Sequence, residues 1–166
     1  MTGSLTRKLE VAANVAIIVV AVVLCAVLVK TYLFAPAAQP AQQSLVGARV
    51  SVPEVDWRAN GRTLVLVLQK GCRFCTESAP FYQRLARESG PVHLVAVLPQ
   101  QVEEARGYLR ELNVPVAEVR QASFQDLGIR GTPTLLLVNG EGVVTGSWFG
   151  KLPPDKEEAV LGRLKS

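Results

Sequence analysis

The 166-residue chain carries one histidine, one methionine and three cysteines, and this scarcity narrows its chemistry from the outset. A zinc site needs about four ligands. Cys72, Cys75 and His93 fall short of that number, and Cys25 sits inside an apolar run, so a metal would require carboxylates or a second chain. A cysteine pair spaced CxxC rather than CxxxC, without a suitably placed histidine, also speaks against metal delivery. No Walker-type loop and no GxGxxG occurs, which leaves nucleotide binding without support. Basic residues are not gathered into a patch. The net charge of +4 divides evenly, because Arg7, Lys8, Lys30 and Glu10 contribute +2 and the rest of the chain the other +2. Nucleic-acid binding normally needs clustered Lys and Arg on one face, so no nucleic-acid partner is expected.

Charge is missing altogether from Val11 to Val29, VAANVAIIVVAVVLCAVLV. At about 1.5 Å per helical residue this run nearly spans a hydrocarbon core of ~30 Å, and Tyr32, Leu33 and Phe34 extend it. Arg7 and Lys8 precede the run and only Lys30 follows closely, which favours a cytoplasmic N-terminus. The expected layout is a cytoplasmic tail and transmembrane anchor over residues 1–34, with the membrane segment at 11–34. A cleaved signal peptide ending near Ala35-Pro36-Ala37 is the rival, but its apolar core would run only about 7–15 residues. Lipid attachment at Cys25 would want a small residue before it, where Leu24 stands. Residues 35–45, rich in Ala, Pro and Gln, read as an extended tether. Residues 46–166 are then one soluble domain on the extracytoplasmic side of the membrane.

Within that domain short apolar runs alternate with helical patterns. Strands are expected at Thr63–Leu68 (TLVLVL), Val92–Leu98, Val114–Val119, Thr134–Val138 and Val143–Phe149. Between them the spacing predicts helices over Phe74–Glu88, Val102–Leu112 and Ser123–Leu127, with a closing helix at Asp155–Leu164. Asn139-Gly140-Glu141-Gly142 is a turn signal joining the last two strands as a hairpin. Strands that alternate with helices imply an α/β sheet, mixed because of the hairpin, with helices over both faces. His93, inside an apolar strand, reads as a core histidine.

Cys72-Arg73-Phe74-Cys75 follows the TLVLVL strand and opens the next helix. The first helical turn offers free N–H groups and a partial positive charge, which stabilise a thiolate and lower its pKa. Cys72, at the exposed end, is the expected nucleophile, and Cys75, one turn in, can attack a mixed disulfide and release product. Arg73 adds positive charge beside the thiolate. As a purely structural staple the pair would close too small a loop to stabilise much. Pro133, in Gly131-Thr132-Pro133-Thr134, stands just ahead of a buried strand, where it cannot donate to the ladder. A cis Thr132–Pro133 bond would turn the chain and leave the Thr132 backbone beside the dithiol. Pro80 is expected to kink the predicted helix.

Together these residues resemble the thioredoxin superfamily: a CxxC opening a helix after a central strand, a proline five residues later, and a cis-Pro loop facing the dithiol. With the anchor, the tether, "GTPT" and "VNGEG", the chain is most similar to TlpA/ResA-like membrane-anchored extracytoplasmic thioredoxins. The resemblance implies a thioredoxin fold and a CxxC thiol–disulfide oxidoreductase whose catalytic site holds Cys72 as nucleophile, Cys75 as resolving thiol, and Pro133 as the cis-proline with Thr132 as its substrate-contacting neighbour. It further implies reduction of disulfide-containing extracytoplasmic proteins, a membrane protein as electron donor or acceptor, and no bound cofactor. The chain departs from the family at Lys70 and Gly71, where relatives place Trp. It also departs at Leu66 and Ser78, where relatives keep an acid that assists the second cysteine. Glu77, one place from Ser78, points about 200° away from Cys75 on a helix. Two other readings remain: a disulfide oxidant or isomerase, and a tethered interaction or assembly module without dithiol turnover.

Overall fold

A computed structural model describes residues 14–27 and 45–165, in two units that divide at residues 41 and 42. In the first unit, residues 14–27 form a helix, α1, whose Ile17, Ile18, Val20 and Leu24 side chains are exposed. Among the described residues no helix is long and apolar enough to cross a membrane. The remainder of the expected anchor, and the expected tether up to residue 44, lie outside the described residues.

The second unit is built on a five-stranded sheet. Its elements are α2 (Trp57–Asn60), β1 (Thr63–Val67), α3 (Arg73–Glu77), α4 (Ala79–Glu88), β2 (His93–Leu98), α5 (Val102–Glu111), β3 (Glu118–Gln121), β4 (Thr134–Val138), β5 (Val144–Phe149) and α6 (Pro154–Lys165). The strand order is β3-β2-β1-β4-β5, with β1–β2 and β2–β3 parallel and β1–β4 and β4–β5 antiparallel. The sheet is therefore mixed, as the hairpin signal implied. β1 lies at its centre and is buried along its whole length. That burial on both faces is why its sequence shows no polar alternation.

Leucine and valine nonetheless alternate there. Leu64, Leu66 and Leu68 point to one face with Leu94, Ala96, Leu98, Leu135 and Leu137, while Val65 and Val67 point to the other with Val95, Val97, Leu136 and Val138. The crossovers β1–α4–β2 and β2–α5–β3 step the same way across the sheet, so a common right hand puts both helices on one face. Residues of α4, α5 and α6 indeed join the leucine cluster through Phe81, Leu85, Ala105, Leu109, Val160 and Leu164. Helices lie on both faces, but unequally. The valine face is covered by the leader at Val50 and Val52, by Trp57 of α2, and by Leu127 and Ile129.

Three elements differ from the sequence reading. The third strand is Glu118–Gln121 rather than Val114–Val119, because Val114 is tied back to α5 by its N–H to the Leu109 carbonyl, 3.0 Å. Residues 124–128 form turns instead of a helix, closed by Ile129 N–H to the Phe124 carbonyl at 2.8 Å. The helix after the dithiol is two helices, α3 and α4, broken at Ser78. Pro80, in the first turn of α4, has no N–H to continue the α3 ladder, so the expected kink is a full interruption. His93 is also less buried than a core histidine. It sits at the start of β2, partly exposed, with Nε2 3.1 Å from Glu118 Oε1.

Candidate active site

The site forms where β1 ends. Gly71 has φ +82°, a left-handed conformation that side chains resist, and it turns the chain from the strand into the helix. Cys72 follows as the N-cap of α3, and its sulfur accepts the Cys75 backbone N–H at 3.2 Å. This is the helix-end donor expected to stabilise a thiolate at Cys72. The two cysteines are joined as a disulfide, with Cα atoms 5.2 Å apart. Cys72 is partly exposed and Cys75 is fully buried, so one sulfur is open to a partner and the other only to its neighbour.

The Thr132–Pro133 loop closes over the pair. Its peptide bond is cis, and the Thr132 carbonyl oxygen lies 3.6 Å from Cys72 Sγ. Thr134 Oγ1 donates to the Gly131 carbonyl at 2.8 Å, and Gly150 N–H donates to the Pro133 carbonyl at 2.8 Å, fixing the loop to the start of β4 and the end of β5. Gly131 allows a close approach, since a Cβ there would come within 3.1 Å of the Phe149 ring. Cys72, Cys75, Thr132 and Pro133, separated by some sixty residues in sequence, thus form one site.

The charges around the site are paired. Arg73 Nε lies 2.6 Å from Glu77 Oε1, and Lys151 Nζ is 2.9 Å from Glu77 Oε2. Arg73 therefore answers Glu77 rather than standing free beside the sulfur. The Lys151 hydrogen bond first, and the Arg73 one second, hold the Glu77 carboxyl below its ordinary range. Glu77 faces outward as the helical geometry required and gives Cys75 no acid. On the other side Lys70 Nζ is 3.0 Å from Glu104 Oε1, whose hydrogen bond raises the lysine above its ordinary value. Among the described residues no group of three or more potential metal ligands occurs.

Two features escaped the sequence reading. Phe74, between the cysteines, is 54% exposed and presents an apolar surface next to Cys72. Ser78, read in the sequence only as a missing acid, and Tyr82, in the same core cluster as Cys75, are buried with hydroxyls that meet no partner outside the pair among the described residues. Their spacing from Cys75, three and seven residues on, was the available signal.

A central β1 feeding a capped CxxC, with a cis-Pro loop packed on the first sulfur, decides the architecture. The chain has the thioredoxin fold. Solved structures with this fold share it at low identity. A thiol:disulfide interchange protein from Bacteroides sp. superposes with TM-score 0.56 at 17% identity, over 73% of this chain and 91% of that one. A thiol-disulfide isomerase from Corynebacterium glutamicum gives 0.54 at 18%, over 75% and 92%. StoA from Bacillus subtilis gives 0.52 at 18%, over 64% and 84%. What is shared at these identities is the thioredoxin fold. No protein-family model and no curated protein matches the sequence.

Proposed function

We propose that the protein is a membrane-anchored thiol–disulfide oxidoreductase that reduces disulfides of extracytoplasmic proteins. The observation that carries the chemistry is the Cys72–Cys75 disulfide, open at Cys72 and capped by the Cys75 N–H. In the reduced protein the Cys72 thiolate attacks a substrate disulfide, forming a mixed disulfide and expelling one substrate thiolate. Cys75 then attacks Cys72 Sγ, which re-forms the internal disulfide and frees the second substrate thiol. The Thr132 backbone beside Cys72 is placed to hold an extended substrate segment, with Pro133 shaping that edge. Two electrons must then return from a membrane donor protein.

The apolar, uncharged run at 11–29, and the exposed apolar side chains of α1, support a membrane anchor spanning residues 11–34. The Arg7 and Lys8 bias supports an extracytoplasmic domain. The reductive direction rests on the resemblance to TlpA/ResA-like proteins. The full chain in detergent should reduce insulin with dithiothreitol as donor, and the absence of any turnover would leave a tethered interaction module. Direction is read from the reduction potential against glutathione: a value near about −270 mV or lower fits a reductase, and one near about −120 mV an oxidant. Labelling of the domain by a membrane-impermeant reagent from the outer side checks the orientation.

A further inference from the structure

A buried hydroxyl short of partners is rare in folded proteins and calls for an explanation. The thioredoxin fold here holds two of them side by side. Ser78, 4% exposed, sits at the break between α3 and α4, three residues after Cys75. Tyr82, 1% exposed, lies one turn further on the same side. Tyr82 Oη and Ser78 Oγ lie close enough to interact with each other, and neither hydroxyl meets a partner outside the pair among the described residues. Burial pushes the tyrosine well above its ordinary value, so it keeps its proton and remains a donor. The titratable groups that face the pair from other elements are Tyr108 of α5 and Glu157 of α6. Tyr108 lies 3.4 Å from Thr76 Oγ1, and Glu157 lies 3.9 Å from Arg84. Cys75, fully buried, shares their cluster through Tyr82.

In the disulfide, Cys75 Sγ carries no charge. Once Cys72 is joined to a substrate, loss of the Cys75 proton to solvent creates a buried thiolate, and a buried anion without donors is costly. We propose that Ser78 Oγ–H donates to the Cys75 thiolate once Cys72 is held in the mixed disulfide, and that Tyr82 Oη–H donates to Ser78 Oγ in turn. The two hydroxyls are thus provided for the mixed-disulfide state, and in the internal disulfide they meet no partner beyond each other. They hold Cys75 as the attacking anion. It forms the bond to Cys72 Sγ while the Cys72–substrate bond breaks, and the substrate sulfur departs with the electron pair and takes a proton from water.

This inference rests on the oxidoreductase reading, and one experiment separates the two. The full chain carrying Cys25→Ser, which removes the exposed third thiol, is reduced and mixed with dithionitrobenzoate in a stopped-flow instrument. Cys72 releases the first aromatic thiol and Cys75 the second. A hydrogen bond to a charged group stabilises it about tenfold or more. Ser78→Ala and Tyr82→Phe should therefore slow the second phase at neutral pH by about tenfold, and shift its pH dependence upward. Both should leave the first phase unchanged, and Ser78→Thr should restore the second. The same two variants should leave the glutathione equilibrium within about twofold of the parent, because the charge of the reduced dithiol rests on Cys72. A second phase within twofold of the parent would overturn the hydroxyl assignment. Absence of both phases in the parent would overturn the oxidoreductase reading itself.

Discussion

The two faces of the sheet are built from the same strands and differ in what covers them. The leucine face lies beneath α4, α5 and α6, and the valine face beneath extended leader, the four-residue α2 and the turns at 124–128. Leucine suits the deeper space between a sheet and a helix, and valine the shallower space beneath chain in an extended conformation. The dithiol belongs to the first face: Cys75 is part of the leucine cluster and Cys72 packs against it. Only a helix can offer the sulfur a free N–H at its first turn, so the reactive pair sits on the side with the more regular cover.

That division can be tested from its largest expected effect downward. Cys72→Ser should abolish insulin reduction while both faces keep their stability, because serine is no thiolate nucleophile at neutral pH. Turnover together with a denaturant melt checks this, and a large loss of stability would mean that the pair staples the fold. Leu66→Ala and Leu136→Ala remove the same atoms from opposite faces, both from fully buried positions. The helix-covered Leu66 should cost about 3–5 kcal/mol and the chain-covered Leu136 about 2–3, since a looser cover collapses more readily into a cavity. Equal costs in urea titrations would show that the two covers are equally rigid.

The smallest effect is electrostatic and confined to the rim of the site. Glu77 titrates below its ordinary 4.5 because Lys151 and Arg73 bond its carboxylate. A depressed folded-state value stabilises above the unfolded value and loses that contribution as pH falls through the folded one. Glu77→Gln should therefore flatten the fall in stability below about pH 4.5, with little change at pH 7, since exposed pairs contribute little. A stability–pH curve superimposable on the parent's would show that the Arg73–Glu77–Lys151 cluster does not matter to folding.

Legibility in the sequence followed the same line. Strong local signals carried: TLVLVL and TLLLV are strands, and the hairpin turn lies where Asn139-Gly140 placed it. Cys72 meets the Thr132–Pro133 loop. The failures are places where tertiary context outweighs local pattern. Glu118-Val119-Arg120-Gln121 has no apolar run because it is an edge strand with only Val119 buried, so the eye falls on Val114–Val119 instead. Ser123–Leu127 has helical spacing over too few residues to hold a helix, and Gly128 ends it in a turn at φ +65°. Which face the helices take depends on the order of the strands, and no single segment encodes that. Ser78 was legible only as a missing acid, and Tyr82 passed unnoticed because it falls among the apolar positions of its helix.

The burial of Cys75 bears finally on time. An outside thiol cannot reach that sulfur, so each covalent complex must begin at Cys72, and its natural end is the attack by Cys75. With the two Cα atoms 5.2 Å apart, the resolving group is present at an effective concentration far above that of any free thiol. How long a partner stays bound is therefore clocked from within the domain, by one tethered sulfur, rather than by the thiol content of its surroundings.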